Sequence, residues 1–163
     1  MKFEKNSVHD AFVQRLQNVD PVHIQTVDGD GNPQPWITVN GSEYIEQLVF
    51  NQMYRGVDSD MVAAQIAHWG RLAAQCARVK QIHERRYRVW KAKKTLELHE
   101  KAAAEKTKRP TVAEVEAAYR TDPEYTAYSD AIEQAEEARA TCEVLYDAFR
   151  AKQRAMEESR FNS

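Results

Sequence analysis

The sequence predicts a mainly α-helical chain: a long antiparallel helical hairpin of coiled-coil character, with a small N-terminal module of helix and β-hairpin. Three observations carry this. Apolar residues recur at alternating three- and four-residue steps over two long stretches, about 62–90 and 125–156. Glycine and proline fall mostly in the first 60 positions. Charged residues make up 29% of the chain, a share that suits long exposed helices better than a large globular core. With 163 residues there is room for one domain, or a small domain plus a helical arm. The boundary falls at 57/58, with residues 1–57 as the N-terminal module and 58–163 as the helical hairpin.

Residues 7–18 read as a short amphipathic helix, with Ser7 as N-cap, Phe12, Leu16 and Val19 on one face, and Asp20-Pro21 as its stop. HIQTV (23–27) and PWITV (35–39) are rich in β-branched residues and flank DGDGN, which supplies the positive-φ residues of a tight reversal. That is a hairpin. Asn40-Gly41 then turns the chain into a helix over about 43–54, which Gly56 ends. A long helix follows from Asp58 or Ser59, either able to cap. Its apolar series is Val62, Ile66, Trp69, Leu72 or Ala73, Cys76, Val79, His83, Arg86 or Tyr87, and Trp90. Only Gly70 interrupts it, at about 1 kcal/mol relative to Ala, so about 45 residues are expected to run as one helix before Thr107–Pro110 breaks it. Thr111 and Glu114 have the spacing of a capping box for a helix at 111–120. Asp122-Pro123 opens the last helix, about 123–159, with the a/d-like series Tyr125, Tyr128, Ile132, Ala135, Arg139, Cys142, Tyr146, Phe149, Gln153 and Met156.

Composition and spacing argue against most chemistry. Cys76 and Cys142 are too few for a disulfide scaffold, and each sits in a helical apolar pattern, so both are expected as buried thiols in a reducing compartment. No stretch approaches the ~18 apolar residues of a membrane span, and the first residues lack a signal-peptide run. The expected compartment is the cytoplasm. Asp28-Gly29-Asp30-Gly31-Asn32 begins like a calcium loop. It then places Pro33 where that loop needs Gly and Val39 where it needs a bidentate Glu, so it reads as a turn. His83-Glu84 and His99-Glu100 lack the second His of a zinc-protease motif, since Tyr87 and Ala103 stand there. No phosphate-cradling loop or nucleophile–base pair is recommended by spacing. The reading is a protein without catalytic activity, metal or cofactor.

The strongest signal is charge. Residues 78–109 hold twelve Lys and Arg against four Glu, net +8, whereas 110–163 carry net −6 and 1–77 net −4, within a total of −2. Arg78, Lys80, Arg85, Arg86, Arg88, Lys91, Lys93 and Lys94 lie within 17 residues, with Tyr87 and Trp90 among them. Phosphates need closely spaced cations and single-stranded bases need exposed π faces, and this stretch carries both residue types. Lys108 and Arg109, with Lys101 and Lys106, extend the track. An equally physical reading pairs these cations with the acidic last helix (Glu124, Asp130, Glu133, Glu136, Glu137, Glu143, Asp147) and puts Tyr87 and Trp90 in the core. Sequence alone leaves both open.

Trp90-Lys91-Ala92-Lys93-Lys94, then Lys106–Thr111, a short helix, and Asp122-Pro123-Glu124-Tyr125 opening another long helix, resemble the phage recombination mediator proteins of the UvsY type over roughly residues 60–160. The resemblance implies a small helical protein that binds single-stranded DNA as a homo-oligomeric ring. Such a protein helps load a RecA-like recombinase onto DNA covered by single-strand-binding protein. Arg85, Arg86, Arg88, Lys91, Lys93 and Lys94 would then line the DNA track, with Tyr87 or Trp90 stacking on bases. Residues 1–57 lie outside that pattern. The alternative is a helical structural or assembly protein, of a phage virion or an adaptor, that binds protein partners without nucleic acid.

Overall fold

The computed structural model describes residues 15–17, 20–48 and 57–161. Of the expected helix at 7–18, residues 15–17 are described and helical; the rest lies outside the described residues, as does everything expected over 49–56. The hairpin is present. Strands β1 (Val22–Ile24) and β2 (Ile37–Val39) pair antiparallel in the register Val22 with Val39, His23 with Thr38 and Ile24 with Ile37, and a bridge joins Val27 to Pro33. The reversal is built on Asp28. Its carboxylate accepts from the backbone N–H groups of Asp30 and Asn32, each at 2.9 Å, and from the Asn32 amide at 3.1 Å, while Gly31 takes the left-handed φ of +88° that the turn requires. These donors, led by the Asn32 backbone N–H, hold the Asp28 carboxyl below its ordinary pKa. The calcium-like spelling is a side-chain-capped turn.

Asn40 accepts from the Ser42 N–H and opens a 3₁₀ turn, Gly41–Tyr44, that runs into α1 (Ile45–Leu48). The helix expected from 43 thus starts two residues early and tighter. Helix α2 spans Val57–Ala104, 48 residues or about 72 Å. Asp58 and Ser59, expected at its cap, are already helical. Its end falls just before Thr107–Pro110, as expected, and is closed by a Schellman motif that uses Thr107. The N–H of Thr107 donates to Ala102 and that of Lys106 to Ala103, at 2.9 and 3.2 Å, with Lys106 in the left-handed region at φ 55°. Helix α3 (Val112–Arg120) carries the capping box, Glu114 N–H to Thr111 Oγ1 at 3.3 Å and Thr111 N–H to Glu114 Oε2 at 2.7 Å. Helix α4 (Pro123–Phe161) begins where Asp122 accepts from the Glu124 N–H at 2.9 Å.

Helices α2 and α4 form the body of the molecule and run antiparallel. Ascending α2, Gly70 meets Tyr146, Lys80 meets Glu136 and Lys94 meets Asp122, so partner numbers fall as α2 numbers rise. Gly70 sits where the helices approach closely: a Cβ there would stand 3.1 Å from the Tyr146 ring. The main core joins Trp69, Leu72, Ala73 and Cys76 of α2 to Ala138, Cys142, Leu145, Ala148 and Phe149 of α4, with Leu16, Val22, Ile24, Val39 and Leu48 of the module packed on it. The heptad series expected for α4 was too narrow. Leu145, Ala148 and Lys152 are buried although outside it, because α4 packs on α2 with one side and on β1 and α1 with the adjoining side. Lys152 lies within that contact, its Nζ donating to the Gln47 carbonyl at 2.5 Å.

Candidate nucleic-acid interface

The basic part of α2 leaves the main core after Val79 and enters a second, aromatic one. Trp90, Val115 and Tyr119 are buried there, surrounded by Tyr87, Leu98, Tyr125 and Tyr128. The chain folds this way locally because α3, fixed by its capping box, returns against α2 and lays Tyr119 on Trp90, with ring centroids 5.5 Å apart. The Tyr119 hydroxyl donates to the Lys91 carbonyl at 3.0 Å and also meets the Thr95 hydroxyl. Tyr128 of α4 closes the other side, 5.8 Å from Trp90 and 5.9 Å from Tyr87. Tyr87 stacks on Trp90 at 6.1 Å with planes 13° apart.

This arrangement corrects one expectation. Trp90, named as a platform for bases, is 9% exposed and spends its faces on Tyr87, Tyr119 and Tyr128. It is a core residue. Tyr87 is half-buried, touches Tyr125 and Tyr128 as well, and carries Lys91 Nζ 4.4 Å above its ring. Of the ambiguous pair Arg86 or Tyr87, it is Tyr87 that faces inward, and Arg86 is exposed.

The expected cations divide into two sets. Several are held by the protein itself. Lys80 pairs with Glu136 of α4 at 2.8 Å, whereas Arg78 is exposed with only a long 3.4 Å contact to the Gly29 carbonyl of the hairpin turn. Lys91 also lies 5.7 Å from the Tyr119 ring, and Lys94 pairs with Asp122 at 3.0 Å. That last contact raises the Lys94 pKa, chiefly through the Asp122 hydrogen bond, and Asp122 is lowered first by the Glu124 N–H and then by Lys94. Near the helix end, Arg109 approaches His99 Nδ1 at 3.3 Å and Lys108 is exposed. The other set points outward: Arg85, Arg86, Arg88 and Lys93 are all exposed, and Arg88 has only a long 3.4 Å contact to the Glu84 carbonyl of its own helix.

Three of these outward groups converge. Arg85, Arg86 and Lys93 line a groove of about 530 Å³ beside the α2–α4 seam, with Val89, Trp90 and Tyr128 along its apolar side and Lys94, Glu97 and Glu124 at its rim. Such a trough places guanidinium and ammonium donors, whose geometry suits phosphate oxygens, next to apolar side chains, while the Trp90 faces on which a base would stack are taken up within the fold. Sequence reading missed the contributions of Tyr128 and of the two glutamates. The tyrosines at 119, 125 and 128 were visible as a dense aromatic run, but their convergence on Trp90 depends on α3 folding back.

The acidic face of α4 takes up less of this charge than interhelical pairing alone would require. Among the described residues, Glu136 is the α4 carboxylate ion-paired to α2. It also accepts from Arg139, which bonds Glu143 as well. Arg139 first and Lys80 second depress the Glu136 pKa to about 2. The half-buried His83 has its pKa lowered, first by burial and then by Arg86. Among the described residues no group of three or more His, Cys, Asp or Glu side chains is placed to hold a metal ion, and no helix is long and apolar enough to cross a membrane. No family model, no curated protein and no solved structure matches the chain.

Proposed function

We propose that the chain binds single-stranded DNA along the outward face of α2, as an oligomeric accessory protein of recombination. The observation that carries the binding is the separation of the cations. Lys80, Lys91 and Lys94 are occupied within the fold, while Arg85, Arg86, Arg88 and Lys93 remain exposed on about two turns of helix beside an aromatic-edged groove. Closely spaced cations turned to solvent, away from the acidic partner helix, are what polyanion binding uses, because they release condensed counterions from the phosphate backbone. Loading of a recombinase onto DNA covered by single-strand-binding protein is the role implied by the resemblance over residues 60–160. The mechanism is binding alone, with repeated weak phosphate contacts multiplied by oligomerisation.

The test is fluorescence anisotropy with a labelled single strand of ~30 nucleotides, titrated at several salt concentrations beside a duplex control. The expected result is single-strand preference with affinity falling by orders of magnitude as salt rises. The quadruple variant Arg85→Gln, Arg86→Gln, Arg88→Gln, Lys93→Gln should keep its fold and flatten the log–log salt slope by up to about 3, at roughly 0.7 for each phosphate no longer neutralised. Absence of binding by the wild type at low salt would reject the reading.

A second reading, an assembly protein without nucleic acid, is favoured by Val89 and Leu96. These stand seven residues apart on α2 and are 50% and 59% exposed. A heptad-spaced apolar pair on a basic helix suits a helical protein partner. Under that reading Val89→Glu with Leu96→Glu abolishes assembly in sedimentation experiments, and the quadruple cation variant loses assembly in place of DNA affinity.

A further inference from the structure

The two cysteines are not scattered core fillers. Cys76 of α2 and Cys142 of α4 are free thiols in one buried cluster, and the Gly70–Tyr146 and Lys80–Glu136 contacts on either side of them set the two opposite each other across the antiparallel seam. One of them borders open space. A cleft of about 150 Å³ between the outer face of the hairpin and the helix pair is lined by Cys76, 2% exposed, together with His23, Gln25, His83 and Gln134 and with apolar residues of the two helices, and Cys142 is not part of its wall. That volume is several times the ~30 Å³ share of a water molecule, room enough for a small peroxide.

We infer that Cys76 and Cys142 form a two-thiol oxidation site in which Cys76 meets a small hydroperoxide through this cleft and Cys142 resolves the product into an interhelical disulfide. The electrostatics agree with the order. The hydrogen bond from Cys142 lowers the Cys76 pKa, and the same contact, with burial, raises that of Cys142, so Cys76 is the sulfur that ionises first. In the first step, written for hydrogen peroxide, the Cys76 thiolate attacks one peroxide oxygen and the O–O bond breaks. The departing hydroxide takes up the proton Cys76 has lost and leaves as water, with Cys76 oxidised to the sulfenic acid. In the second step the Cys142 sulfur attacks the Cys76 sulfur, the S–O bond breaks, and the hydroxyl leaves as water with the Cys142 proton. The thiol pair loses two electrons, and the peroxide is reduced to two waters. The bridge ties α2 to α4 just before the basic segment begins, and it is independent of what that segment binds.

The test is exposure of the full chain to stoichiometric hydrogen peroxide, followed by denaturation, alkylation with N-ethylmaleimide and intact-mass measurement. The expected product is a monomeric chain lighter by about 2 Da that takes up no alkylating agent, with a Cys76–Cys142 cross-link in its peptide map. Cys142→Ser should halt at the sulfenic acid and be trapped by dimedone, whereas Cys76→Ser should react at least about tenfold more slowly. The inference is overturned if the wild-type chain still binds two alkylating groups after peroxide, a measurement that needs no variant to fold. Equal reaction of the two single variants overturns the assigned order.

Discussion

The two halves of the α2–α4 pair are enclosed differently. Around Cys76 and Phe149 the seam packs Trp69 and Phe149 among small and aliphatic groups and is closed on three sides by α2, α4 and the hairpin module, and Phe149, Leu145 and Cys142 are fully buried. Around Trp90 the seam is almost wholly aromatic and roofed by the short α3; the Tyr119 hydroxyl bonds the Lys91 carbonyl and Lys91 Nζ lies over the Tyr87 ring face. Aromatic side chains with polar tips and negative ring faces stay cohesive while standing next to solvent and ammonium groups. The second half can therefore be core and solvent-facing groove together, whereas the first is enclosed.

The comparison breaks most severely at Phe149. Truncation to alanine leaves a cavity in the three-sided core, and a loss of about 3–5 kcal/mol is expected in denaturant unfolding monitored by circular dichroism. The module should loosen with it, because Leu16, Val22, Ile24 and Leu48 rest on the same cluster. Trp90→Ala sharpens the contrast. A residue that met bases from the surface would cost little stability on truncation, whereas the buried Trp90 should cost about 3 kcal/mol and release α3, read as faster amide exchange over 112–120. A stability change within about 0.5 kcal/mol would show that Trp90 does not pack as described.

Trp90 also marks how far the sequence could be read. Local signals were legible because their causes are local. Thr111 and Glu114 spell a capping box, Asp122 caps α4, and the DGDGN turn needs only Asp28 and the positive φ of Gly31. The two long helices were legible because sustained three- and four-residue spacing has few other solutions. What stayed hidden depends on which neighbour lies on which side. Rotation of α2 by one residue separates Arg86 from Tyr87, and only the position of α3 and Tyr128 decides that Tyr87 faces inward. The same is true of the cations. Lys94 and Lys93 are adjacent in sequence, yet one reaches Asp122 and the other stays exposed. The extra width of the α4 core, with Leu145 and Lys152 inside it, follows from the hairpin module packing beside α2, an arrangement that joins residues more than 100 positions apart.

Between the two halves stands the Lys80–Glu136–Arg139 group, and pH probes it. Glu136 has its folded pKa lowered from 4.5 to about 2, so it contributes stability above pH 4.5 that is lost as pH falls through about 2. Glu136→Gln should flatten the melting-temperature profile across that window. Because the carboxylate side chain is 38% exposed, screening keeps the loss at pH 7 within about 1 kcal/mol. An unchanged acid profile would mean that the junction holds by packing alone.

The smallest expected effect lies at the far end of the aromatic half, where α2 stops. Lys106 holds a left-handed conformation at φ 55°, which costs a side-chain-bearing residue roughly 1–2 kcal/mol, while Schellman bonds from Thr107 and Lys106 close the helix. Glycine relieves that strain but loses more entropy on folding, by roughly 0.5–1 kcal/mol. Lys106→Gly should therefore stabilise the chain by about 0.5 kcal/mol, visible as a small upward shift of the denaturation midpoint with an unchanged slope. The substitution also removes one cation from the extended track, so the DNA salt slope reports separately whether Lys106 meets a phosphate. A destabilised Lys106→Gly chain would show that α2 does not end in this motif, and that the turn which lays α3 over Trp90 is fixed by the capping box at Thr111 instead.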